Sequence, residues 1–332
     1  MSDRLADGYD LVIFDLDGVV YLIDKPIAGA AEAVARLRGA GTPVAYATNN
    51  ASRRAADVAA LLTGMGVAAE PDEVLTSAGA AAARLAQQLP AGAPVLVVGA
   101  EALRAEVRAA GLTVVGTAGD EPAAVVQGYG PEVGWAILAE ASVAVRAGAL
   151  WVATNTDRTL PSPRGPLPGN GALVAVLSTA LGREPDLVVG KPQPALFETA
   201  ASLAKAARPL TVGDRLDTDI EGAVGAGMDS LLVLTGVSGP AELLAAPPSR
   251  RPTYVAADLA GLFGDASAAR LDPERLEGSL GGWTLSGAGE LSGSGDPVDA
   301  LRLLAGHAWS GKRARPASDE AAELFERWGL PG

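Results

Sequence analysis

Residues 10–21 read DLVIFDLDGVVY, an apolar run from Leu11 to Phe14 that ends in two carboxylates two residues apart, then a glycine. Side chains alternate along an extended backbone, so Asp15 and Asp17 leave the strand end on the same side and face each other. Two such charges repel unless a proton, a cation or a phosphate-handling role compensates them. An Asp-Gly turn after a buried strand explains the same residues without any chemistry. The rest of the chain separates these two explanations.

Working outward, the pattern alternates. A helix is expected near Ala30 to Ala40, then the strand TPVAYATNN (42–50), a helix within ASRRAADVAALLTGMG (51–66), EVLTS (73–77), and an Ala-rich helix up to Leu89. Strands separated by helices predict an α/β fold with a parallel, doubly wound sheet. LPAGAPVLVVGAE (89–101) opens a second α/β run with its own strands AVVQGYG (124–130) and ALWVATN (149–155). The Pro/Gly cluster from Pro161 to Gly171 reads as an exposed loop. DLVVGKPQPALF (186–197), PLTVGDRLDTDI (209–220) and SLLVLTGV (230–237) then resume the strand-to-loop pattern of the start. After about Phe263 the texture changes to a Gly/Ser-rich tail, with helices expected near Val298 to Trp309 and Asp319 to Trp328.

Composition narrows the chemistry. The 332 residues are 48% hydrophobic and 20% charged, ample for a packed core. No apolar run approaches the roughly 18 residues of a membrane span. The charged opening MSDRLADGYD carries no secretory signal pattern, so a cytoplasmic location is expected. A formal charge of -13 argues against nucleic acid or an anionic membrane as partner. The chain has 0 cysteines and a single histidine, His307, read as a packing or surface residue. That excludes cysteine nucleophiles and every site built on paired histidines. Catalysis here must run on carboxylates, Lys, Ser/Thr, amides and a hard metal.

Four strand-end loops carry that inventory: Asp15 with Asp17, then Thr48-Asn49-Asn50, then Lys191, then Asp214 with Asp219. Ligands of doubly wound sheets bind beyond the carboxyl ends of the strands. Singly, each loop has a dull explanation, a helix cap or a surface charge. Together they suit phosphoryl transfer. Asp15 attacks phosphorus, Asp17 protonates the leaving alcohol and then deprotonates water, and Mg²⁺ takes carboxylate and phosphate oxygens. Lysine is scarce, 22 of the 26 basic residues being arginine, so the lysine in Gly190-Lys191-Pro192 stands out as a point charge.

DLDG, TNN, GKP and GDRLDTDI, in that order, resemble the four motifs of haloacid-dehalogenase-like phosphatases. The insertion between the second and third motifs resembles the large α/β cap of the p-nitrophenylphosphatase and phosphoglycolate phosphatase-like subfamily. The implied division is 1–90 core, 91–185 inserted cap, 186–263 core, and 266–332 a small C-terminal module, similar to an acetyltransferase-like one on some bacterial glycerol-3-phosphate phosphatases. The resemblance implies Asp15 as nucleophile and Asp17 as acid/base. It implies Mg²⁺ on Asp15, the Asp17 carbonyl and Asp214, with phosphate on Thr48, Asn49 and Lys191, and Asn50 and Asp219 supporting. The cap of such enzymes shields the site and meets the leaving group. In DRTLP (157–161), Leu160 stands where pyridoxal-phosphate phosphatases carry His, as in relatives acting on glycerol 3-phosphate or phosphoglycolate. Tyr129 in GYG points instead toward a pyridoxal ring. Weighting Leu160 over Tyr129, the expected substrate is a small phosphomonoester, glycerol 3-phosphate first, with a homodimer left open. A phosphoacceptor signalling domain uses a similar acid cluster, but in about a third of this length and with its acidic pair before the acceptor. A phosphomutase is the nearest rival enzyme.

Overall fold

A computed structural model of the chain describes residues 4–23, 25–160, 162 and 164–331, leaving Pro161 and Pro163 of the expected loop outside the described residues. The chain forms two compact units: Met1–Tyr21 with Pro26–Val44 and Ala204–Gly332, and Leu22–Lys25 with Ala45–Leu203. It is an α/β protein with parallel sheets.

In the first unit four strands run parallel in the order Tyr254–Ala256, Asp229–Val233, Pro209–Gly213, Leu11–Phe14. Leu11, Val12, Ile13 and Phe14 are all buried, as a parallel strand covered on both faces requires. Its register, Leu11 against Pro209 through Phe14 against Val212, brings the next residue of each strand end alongside. Asp15 N–H then donates to the Val212 carbonyl at 2.8 Å. Pairing of two buried strands therefore places the first acidic loop beside the fourth.

The tail departs from the expectation. Helices Pro297–Trp309 and Asp319–Arg327 lie where the sequence predicts them. The Gly/Ser stretch before them, however, supplies strands: Gly278–Leu280, Trp283–Leu285 and Glu290–Gly293 pair antiparallel, and Arg315–Pro316, between the two helices, adds parallel. Trp283, Leu285 and Leu291 point inward while small polar residues face out, so the alternation is carried by few apolar side chains.

The second unit holds a five-stranded parallel sheet in the order Leu187–Val188, Leu150–Ala153, Ala124–Gln127, Pro94–Val98, Thr113–Val115. Its faces follow from period two. Val95, Val97 and Val126 pack with Ala81 and Leu85 of helix Ser77–Gln88 and with Leu103 and Val107 of helix Glu101–Ala109. Leu96, Val98, Val125 and Trp151 turn to the other side, against helices Trp135–Arg146 and Asn170–Leu181. Helix Ser77–Gln88 and strand Leu187–Val188 thus pack with this sheet although they lie outside 91–185 in sequence. The same unit pairs Tyr46–Thr48 with Val74–Thr76 in parallel. The expected Pro/Gly loop is only partly a loop: Thr159–Leu160 pairs with Leu167–Pro168, and Asn170 is buried at the start of its helix.

Candidate active site

In the first unit three carboxylates meet. Asp15, Asp214 and Asp219 are 8%, 1% and 1% exposed, and one oxygen from each lies within 4.8 Å of the others. Asp15 and Asp214 arrive by strand register; Asp219 arrives on the π-helical turn Leu216–Ile220 that follows. The turn is held by the acid itself: Asp219 Oδ2 accepts from Asp214 N–H at 3.2 Å and Arg215 N–H at 3.1 Å. Asp214 Oδ2 accepts from Val237 N–H at 2.7 Å, and its carbonyl from Ser238 N–H at 3.0 Å. Asp17 sits in the next turn, partly exposed, with Leu16 fully buried between the two acids.

Close approach demands glycine here. Gly18 has φ 88°, and a methyl group on it or on Gly236 would run into the Asp214 carboxylate. Such a cradle keeps the carboxylate at one position. Asp217, in the same motif, is occupied otherwise: burial alone would push its carboxyl up, but paired bonds from the Arg215 guanidinium, both 3.0 Å, outweigh this and hold it below the usual range. Three buried carboxylates this close repel strongly without a cation. An all-oxygen donor set with neither His nor Cys fits a hard ion such as Mg²⁺.

In the second unit the other predicted residues gather. Thr48 ends its strand, buried, and its hydroxyl accepts from Asn50 N–H at 3.1 Å. Asn50 Oδ1 accepts from Ser52 N–H at 2.8 Å, a local turn leading into helix Ala55–Gly64. Lys191 is 2% exposed, and its ammonium donates to the Ala47 carbonyl at 3.0 Å. Asn49 clamps the lysine's main chain: its Oδ1 accepts from Lys191 N–H at 2.8 Å and its Nδ2 donates to Lys191 O at 3.0 Å. The second Nδ2 hydrogen goes to the Asp157 carboxylate, 3.1 and 3.2 Å to its oxygens. Both amide hydrogens are thereby engaged, so any bond from Asn49 to a phosphate would come from its main-chain N–H.

Asp157 and its neighbours had no role in the sequence reading. Asn155 donates to Asn49 O at 2.6 Å, as does Ser77 Oγ, and Asn170 donates to Asn155 O at 2.7 Å. The signal available was the ATNTD run at a strand end, polar residues where the apolar pattern stops. Tyr129 and Leu160 are both partly buried; Tyr129 lies on the loop leaving strand Ala124–Gln127, and Leu160 in the short strand Thr159–Leu160 that follows the adjacent strand Leu150–Ala153. The Val237–Ser238 segment that holds Asp214 also went unread.

Family models match most of these motifs: a haloacid dehalogenase-like hydrolase model over residues 12–113 and a HAD-hydrolase-like model over residues 188–262. The chain is 44% identical over 341 residues to D-glycerol 3-phosphate phosphatase of Mycobacterium tuberculosis, covering 98% of this chain and 96% of that one. The crystal structure of glycerol phosphate phosphatase from Mycobacterium tuberculosis in complex with magnesium superposes with a TM-score of 0.90 at 43% identity, covering 100% of both chains. The 4-nitrophenylphosphatase of Thermotoga maritima follows the same fold with a TM-score of 0.72 at 31% identity, over 80% of this chain and 100% of that one.

Proposed function

Because the chain belongs to the haloacid dehalogenase-like hydrolases, we propose that it is a Mg²⁺-dependent phosphatase that hydrolyses glycerol 3-phosphate through an aspartyl-phosphate on Asp15. The observation that carries the phosphoryl-transfer reading is the buried carboxylate triad at the strand ends. The substrate rests on likeness to an enzyme named for it and matched over nearly its whole length.

A carboxylate oxygen of Asp15 attacks phosphorus as the ester P–O bond breaks, and Asp17 gives its proton to the departing glycerol oxygen. Asp17, now ionised and the more exposed of the two, takes a proton from water. That water attacks the same phosphorus, which frees the Asp15 carboxylate and inorganic phosphate. Thr48 Oγ, the Asn49 main-chain N–H and the Lys191 ammonium take phosphate oxygens in this reading. Asn49 fixes where Lys191 sits, and Asn50 shapes the turn. Asp15, the Asp17 carbonyl and Asp214, with Asp219 against them, would hold Mg²⁺, which would supply charge neutralisation.

The choice of alcohol is assigned to Leu160 and Tyr129, within the 91–185 insertion. Leu160→His is expected to shift kcat/KM from glycerol 3-phosphate toward pyridoxal 5′-phosphate by about 10- to 100-fold, the worth of a hydrogen bond of ~1–3 kcal/mol. p-Nitrophenyl phosphate turnover should barely change, since its leaving group offers little to bond. The test is phosphate release with Mg²⁺ and no bisphosphate activator, across glycerol 3-phosphate, phosphoglycolate, pyridoxal 5′-phosphate and sugar phosphates. A wild-type preference for pyridoxal phosphate would make Tyr129 the better guide. No helix among the described residues is long and apolar enough to cross a membrane. Cytoplasmic placement, independence from nucleic acid and membranes, and a homodimer belong to the same proposal.

A further inference from the structure

The helix Pro297–Trp309 has two apolar faces, and they serve different cores. Ala300, Leu303 and Leu304 pack inward with Trp283, Leu285, Leu291, Leu324 and Phe325, the core of the tail itself. Val298, Leu301 and Ala305 pack instead with Leu216, Ile220, Leu232, Leu243 and Val255. Leu216 and Ile220 are the two ends of the turn that carries Asp219.

A second route runs through hydrogen bonds. The Trp309 indole N–H donates to the Leu243 carbonyl at 2.9 Å, and the Arg251 guanidinium lies 4.9 Å over the same ring. Leu243 belongs to the short helix Pro240–Leu244, which directly follows the segment holding Asp214. In that segment Val237 N–H donates to the Asp214 carboxylate, and Ser238 Oγ accepts from Leu216 N–H at 3.0 Å. The tail thus bears on both acids, on Asp219 by packing and on Asp214 through one short helix.

We propose that the C-terminal module is a brace that sets the metal affinity of the Asp15–Asp214–Asp219 cluster, with Trp309 as a positioning residue. This rests on reading the cluster as the metal site. Mg²⁺ demands near-ideal octahedral geometry, so carboxylates held slightly out of place bind it less well. Partners that orient metal ligands are accordingly worth large factors in affinity.

The experiment is a titration of the full chain with Mn²⁺ alone, free metal being read by electron paramagnetic resonance. Trp309→Phe keeps an aromatic ring and deletes the indole N–H; it is expected to raise the dissociation constant about three- to tenfold, the worth of one hydrogen bond. Leu291→Ala, in the tail's own core, should lower the melting temperature and leave metal affinity unchanged. Wild-type affinity in Trp309→Phe, or equal weakening in Leu291→Ala, would overturn the brace. Failure of the wild-type chain to bind Mn²⁺ at all would overturn the metal reading with it.

Discussion

Asp15→Asn is expected to abolish phosphate release while leaving the fold intact. The amide matches the carboxylate in size, so the buried site is neither emptied nor overfilled. What it lacks is nucleophilicity, and losing the group that forms the covalent intermediate should cost about 10⁴-fold or more in kcat. The same change removes one of three clustered negative charges, so without metal the variant should melt no lower than wild type. This pairing separates lost chemistry from lost structure. Turnover by Asp15→Asn within about a hundredfold of wild type would refute the aspartyl-phosphate route, because such a residue would not be the nucleophile.

Removing the metal should have the next largest effect. In EDTA, activity is expected to vanish and to return with Mg²⁺. The melting temperature should fall too, since a metal at a hundred times its dissociation constant adds about 2.7 kcal/mol of stability. Ca²⁺ should bind and inhibit. It prefers more oxygens at about 2.3–2.6 Å, where Mg²⁺ takes six at about 2.0–2.1 Å, and the looser shell would misplace the attacking oxygen. Full activity in chelator would remove the metal from the mechanism.

What was legible in the sequence shares a cause. Leu11–Phe14 is a continuous apolar run and Pro209–Gly213 a largely apolar one broken by Thr211, and the acids follow where those runs stop, so local pattern marks both the sheet and its chemical edge. The antiparallel strands of the tail were hidden because they are only three or four residues long, are set among glycines and serines, and turn only Trp283, Leu285 and Leu291 inward. The clamp formed by Asn49 was hidden for another reason. Its partners Asp157 and Lys191 lie 108 and 142 residues away, and no local pattern reports a pairing at that separation. Asp157, Val237 and Ser238 are ordinary loop residues until the fold gives them neighbours. Gly236 likewise looks like turn punctuation, yet what requires it is the carboxylate packed against its α-carbon.

The burial of Lys191 also matters to anyone wishing to attach this protein to a surface. Of its four lysines, Lys25, Lys205 and Lys312 are exposed and Lys191 is not. Amine-reactive esters acylate amines that water reaches, and an enclosed side-chain amine resists them. Coupling to an activated resin or dye should therefore consume the three outer lysines and spare the fourth. The tethered protein should keep its turnover, and peptide mapping should recover the Lys191 peptide unlabelled.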